Sequence, residues 1–139
     1  MALPITGYAH VRLTVTDIEL SRAFYDRVFG FDVALELPEG ADTQTREQLS
    51  FLYGGVIYQV PGGLFGLRPV GQGRFDEDAT GLDHVSFGVA SRADLDAAAA
   101  SLDELGVPHE TVKDIGVGFL LEFRDPDNIA LELYAPAGT

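Results

Sequence analysis

One pattern occurs twice in this chain and limits what the chain can fold into. Near the start it reads Gly7-Tyr8-Ala9-His10-Val11-Arg12-Leu13-Thr14-Val15, and after the midpoint Gly81-Leu82-Asp83-His84-Val85-Ser86-Phe87-Gly88-Val89. Both alternate apolar and polar residues, the period of a half-buried strand. Val11, Leu13 and Val15, or Val85, Phe87 and Val89, turn to one face. His10, Arg12 and Thr14, or His84, Ser86 and Gly88, turn to the other. Each copy therefore sets one histidine on the polar face at the same place in the unit, and the chain reads as two copies of one small unit.

The order of elements after each histidine supports this. Asp17 suits a helix N-cap and Gly30 a helix stop, with Leu20, Ala23, Phe24, Arg27 and Val28 at helical spacing between them. Strands are expected over Phe31 to Leu37, Leu49 to Val60 (with a bulge or bend at Gly54-Gly55) and Leu64 to Val70, and a loop over Pro38 to Glu47. In the second half Ser91 and Asp94 have capping-box spacing, and Leu95, Ala98, Ala99, Leu102 and Leu105 form an apolar stripe ended by Gly106. Strands are expected over Val107 to Val112, Gly118 to Arg124 and Ile129 to Tyr134, with a turn at Asp125-Pro126-Asp127-Asn128. The expected division is one domain over residues 1–139, with a first module over about 7–70, a linker over about 71–80 and a second module over about 81–135. The turns before the two final strands, at Pro61 and Pro126, repeat at a shorter interval than the histidines do, so the longer loop lies in the first unit.

Composition narrows the function. Acids outnumber bases 22 to 9, for a net charge of −13, which repels nucleic acid and anionic membrane. Cysteine is absent, which removes disulfides, thiolate metal sites and a cysteine nucleophile. No apolar run approaches the ~20 residues that span a bilayer, and the N-terminus lacks the pattern of a signal peptide, so a cytoplasmic setting is expected.

Imidazole and carboxylate are common ligands of first-row metals. Glu132 turns away from Ile129, Leu131 and Leu133 on its strand. If the two polar faces form one cup, His10, His84 and Glu132 converge and leave coordination positions open for substrate. Otherwise the two histidines are ordinary polar strand residues. Arg12, two residues from His10 on the same face, is a candidate for an anionic substrate group or for pairing with an acid. Tyr53, Tyr58, Phe65 and Phe119 either line an aromatic pocket or belong to the core, while Glu122 and Tyr134 are candidate acid-base groups. His109, beside Pro108, reads as a surface residue.

Four stretches carry a resemblance: His10-Val-Arg-Leu-Thr-Val-Thr-Asp17; Ser21-Arg-Ala-Phe-Tyr25 with Phe29-Gly-Phe31; Gly81-Leu-Asp-His84-Val-Ser-Phe; and Asp125-Pro-Asp-Asn-Ile-Ala-Leu-Glu132-Leu. Through them the chain resembles the vicinal oxygen chelate superfamily. Its members include glyoxalase I, extradiol dioxygenases, fosfomycin-resistance thiol transferases, methylmalonyl-CoA epimerases and the metal-free bleomycin-resistance proteins. The resemblance implies an α+β fold of two βαβββ modules forming a cupped mixed sheet. It also implies a divalent metal on His10, His84 and Glu132, for which Fe²⁺, Mn²⁺, Zn²⁺ and Ni²⁺ are the candidates. The catalytic groups are left open, with Glu132, Arg12 and Tyr58 as the candidates this sequence offers. Aligning the two final turns sets Leu67 opposite Glu132, so the fourth ligand of glyoxalase-type members is missing. A metal-dependent enzyme acting on a small substrate with vicinal oxygens is the expectation, the alternative being a metal-free antibiotic-binding protein. A homodimer is expected.

Overall fold

Asp17 begins the first helix as the sequence requires: its carboxylate accepts the Leu20 amide at 3.1 Å. Helix α1 (Ile18–Val28) ends before Gly30, which adopts φ 65° and returns its amide to the Tyr25 carbonyl. The computed structural model describes residues 1–139, which divide into two compact units, Met1–Gly73 and Arg74–Thr139.

In the first unit β1 (His10–Thr14), β2 (Asp32–Glu36), β3 (Val56–Val60) and β4 (Gly63–Arg68) form one sheet in the order β1-β4-β3-β2. Strand β1 runs parallel to β4, and the other neighbours are antiparallel. In the second unit β5 (Val85–Gly88), β6 (Lys113–Asp114), β7 (Gly118–Arg124) and β8 (Ala130–Pro136) form a sheet in the order β5-β8-β7-β6, with β5 parallel to β8. Helix α3 (Arg92–Glu104), capped by the Ser91 side chain, covers β7 and β8. Strand order and sense are thus the same in both halves, and the fold is α+β with two four-stranded mixed sheets.

Each sheet has a covered and an open face. Leu13, Leu67 and Val56 lie side by side in register and are buried, and Phe65 on the same face meets the Tyr25 ring of α1 at 5.2 Å. Tyr25, Phe29, Phe31, Tyr58 and Phe65 form a linked ring cluster there. In the second unit Phe87, Leu133 and Leu121 are aligned in the same way.

Three segments differ from the expectation. The loop over Pro38 to Glu47 gives way to a short helix, α2 (Thr43–Gln48), whose cap is Asp42 accepting the Thr45 amide at 2.8 Å. All six helix residues are polar and none is buried, so no apolar period announces it. The expected strand from Leu49 begins only at Val56, because Ser50–Leu52 forms a 3₁₀ turn, closed by Tyr53 at φ 52° and Gly54 at φ 80°. A Cβ on Gly55 would collide with the Leu67 carbonyl oxygen, so glycine there lets the turn press against β4. The strand expected over Val107 to Val112 is reduced to a single bridge between His109 and Phe123, with β6 following it.

Register also corrects the turn alignment. Arg12 pairs with Gly66 just as Ser86 pairs with Glu132, so Gly66 is the repeat equivalent of Glu132. Leu67 faces the covered side and is fully buried. The loop before β4 is one residue shorter than an alignment of prolines assumes. Glycine offers no donor atom either, so the missing ligand stays missing.

Candidate functional site

Strand β8 sets Glu132 on the open face of the second sheet, between Ser86 on β5 and Glu122 on β7. The carboxylate is buried, with 8% of the residue exposed. A buried carboxylate needs partners. The Ser86 hydroxyl donates to Oε1 at 2.6 Å, and Oε2 lies 3.5 Å from Nε2 of His84. His84 immediately precedes β5, and its Nδ1 lies 2.5 Å from Oδ1 of Asp83. The hydrogen bond to Asp83, partly offset by burial and reinforced by the Glu132 charge, raises the His84 imidazole above its ordinary range. With Nδ1 engaged by Asp83, Nε2 is the atom turned towards Glu132.

This pair lines a cavity of about 310 Å³ that also includes Glu122, Arg124 and His109. Glu122 accepts from Lys113 Nζ at 3.0 Å. Arg124 grips Glu77 at 2.5 and 3.0 Å and also bonds the Asn128 carbonyl. These hydrogen bonds hold the Glu77 carboxyl down to about 2.

His109 is the lining residue that sequence reading missed. Its Nε2 is 3.0 Å from Asp103 Oδ1 and its Nδ1 is 2.7 Å from the Glu110 carbonyl. Both partners are acceptors, so the two contacts together favour the protonated ring over the neutral one. The Glu110 carbonyl, against some burial and with help from Asp103, raises its pKa.

In the first unit His10 opens β1, exposed, on the uncovered face beside Leu64. Arg12 lies on that face, with Nη2 donating to the Phe51 carbonyl at 2.7 Å. Tyr58 is fully buried on the covered face, donating to Asp26 Oδ1 at 3.0 Å, which drives the phenol pKa upwards through burial and the bond to Asp26. Its hydroxyl thus serves the packing of α1 on the opposite side of the sheet from His10. Phe65 is core as well, whereas Tyr53 is exposed and Phe119 lies half-buried beneath Arg92. Tyr134 donates to the Val117 carbonyl.

Within neither unit do three His, Asp or Glu side chains gather in a way that would hold a metal ion. The second unit does supply a fitting half-site. His84 and Glu132 present N and O donors 3.5 Å apart, close to the ~3.4 Å edge of a tetrahedral zinc-type site. Each is backed by an outer partner, Asp83 or Ser86, as metal-binding imidazoles and carboxylates usually are.

The profile of the glyoxalase/bleomycin resistance protein/dioxygenase superfamily matches residues 7–133. The chain belongs to that superfamily. The uncharacterized protein YwkD of Bacillus subtilis is 32% identical over 128 residues, covering 90% of this chain and 93% of its own. Among superfamily crystal structures, a glyoxylase/bleomycin resistance protein/dioxygenase domain from Frankia sp. EAN1pec is 31% identical, with a TM-score of 0.76 over 95% of this chain and 98% of that one. A variant of the fosfomycin resistance protein FosX from Listeria monocytogenes, complexed with Mn(II) and 1S,2S-dihydroxypropylphosphonic acid, shares the fold at 20% identity, with a TM-score of 0.74 over 96% of this chain and 95% of that one.

Proposed function

We propose that the chain is a metal-dependent enzyme that acts on a small substrate with vicinal oxygens, and that His10, His84 and Glu132 hold the ion. The observation that carries this reading is the His84–Glu132 pair, 3.5 Å apart on a cavity wall and backed by Asp83 and Ser86. The FosX structure with Mn(II) supports the choice of a divalent ion, whether Fe²⁺, Mn²⁺, Zn²⁺ or Ni²⁺. When bound, such an ion supplies Lewis-acid polarisation of a substrate oxygen. Asp83 keeps Nδ1 engaged so that the Nε2 lone pair turns inward, and Ser86 fixes one carboxylate oxygen so that the other is the free donor. Glu122, cross-strand from Glu132 and lining the same cavity, is a carboxylate placed to exchange a proton with a ligand there.

Elemental analysis of untagged protein tests this, with about one divalent ion expected per chain and its loss expected in His84→Ala and Glu132→Gln. Protein that emerges metal-free and refuses added metal is the opposing result. The metal-free antibiotic binder is the weaker reading, because two of its four aromatic candidates, Tyr58 and Phe65, are core. A ligand that stabilises stripped protein equally in wild type and His10→Ala would favour it. We also propose a cytoplasmic homodimer, and a lone monomer-mass peak in light scattering would count against the dimer.

A further inference from the structure

We propose that Arg12 and Arg68 form a binding site for an oxyanion, whether carboxylate, phosphate or phosphonate, on the His10-bearing face of the first unit. The chain has four half-buried arginines: Arg12, Arg22, Arg68 and Arg92. Arg22 is paired with Glu36 at 2.6 Å and Arg92 with Asp96 at 3.4 Å. Arg12 and Arg68 have no acid within ion-pair distance, although the chain carries 22 acids. A partly desolvated cation without a counter-charge is costly, and two in proximity repel each other as well.

The fold holds these two side by side. Arg12 pairs with Gly66 and Thr14 with Arg68, so the two arginines are diagonal neighbours on one face of the parallel β1–β4 pair. Both are anchored to the same turn. Arg12 Nη2 donates to the Phe51 carbonyl at 2.7 Å, and the Arg68 guanidinium stacks 4.3 Å from the Tyr53 ring centroid. Arg12 Nε is buried with no partner, and its stem crosses Gly66 closely enough that a Cβ there would lie 3.1 Å from Cγ. Neither contact neutralises charge: a carbonyl and a ring face orient the two forks without cancelling them. An oxyanion bridging the two forks supplies the missing charge, and guanidinium geometry suits its paired oxygens.

This inference does not rest on the metal, and its test uses metal-stripped full-length protein. Inorganic phosphate and acetate are titrated separately by calorimetry at constant ionic strength, with chloride as the balancing anion. Wild type is expected to bind at least one of the two, with Arg12→Gln and Arg68→Gln each weakening it tenfold or more. Arg12→Lys keeps the charge but loses the fork and is expected to fall in between, while Arg92→Gln in the other unit leaves binding unchanged. Circular dichroism checks that each variant is folded. No binding by wild type above the chloride control, or equal binding by wild type and both glutamine variants, overturns the proposal without touching the His84–Glu132 reading.

Discussion

Ser86 and Glu132 face each other across the β5–β8 ladder, and the serine hydroxyl donates to the buried carboxylate at 2.6 Å. If Glu132 is a metal ligand, Ser86 sets which oxygen remains free. Ser86→Ala leaves that oxygen without its donor, and metal affinity is expected to fall by about 10–100-fold. Ser86→Thr keeps the hydroxyl and is expected to stay near wild type. Competition titration against a chelator measures both, and unchanged affinity in the alanine variant would assign Ser86 to packing alone.

The Arg124–Glu77 pair gives an acid-limb prediction. Glu77 is held at about 2, below its ordinary value of 4.5, because Arg124 hydrogen-bonds its charged form. The folded state therefore binds this proton less readily than the unfolded state. The contribution of the pair is present above about 4.5 and is lost as pH falls through about 2. The melting-temperature gap between wild type and Glu77→Gln is expected to be full near neutral pH and to close along that limb. Both side chains are partly exposed, so high salt is expected to shrink the gap. A gap that persists at the acid end would assign the effect to something other than the ion pair.

His109 titrates with the opposite sign. Its folded pKa is raised by the Glu110 carbonyl and Asp103, so its stabilisation is full below the unfolded value near 6.5 and is lost as pH rises through the folded value. His109→Gln is expected to cost more at mildly acidic than at mildly alkaline pH, as read by urea midpoints. Equal cost at both pH values would show that the ring acts without its second proton.

Gly55 is expected to reject a methyl group. Its Cβ would strike the backbone of β4 and lie 2.9 Å from both the Leu52 carbonyl oxygen and Pro69 Cδ. Gly55→Ala should lose about 2–3 kcal/mol in urea unfolding. Gly54→Ala meets no neighbour but stands at φ 80°, and is expected to cost about 1 kcal/mol.

Where a single side chain decides the backbone, the chain could be read directly. Asp17 and Ser91 cap their helices, Gly30 and Gly106 end them in the left-handed region, and Asp125 organises its turn by accepting the amides of Asp127 and Ile129. Reading failed where apolar content and backbone path part company. Leu49, Phe51, Leu52 and Tyr53 look like strand residues, yet only Leu52 is fully buried and Tyr53 takes a left-handed conformation few non-glycine residues adopt. The histidine and glutamate of the second half could be placed from their alternation, because a pleat reports a face. Aligning the turns sets Leu67 in place of Gly66 as the repeat equivalent of Glu132, because one residue of turn length reverses every face after it. His109 was out of reach because its partners come from a helix end and a backbone carbonyl, which no spacing rule encodes.

The parallel pairing of β1 with β4, and of β5 with β8, also sets an order of assembly. The hairpins β3–β4 and β7–β8 join neighbours in the chain, whereas His10 meets Leu64, and Val85 meets Leu131, only after some fifty residues have been looped out. The strands that start at or just after the two imidazoles are therefore expected to dock last, so the proposed metal site would be completed only once each sheet has closed.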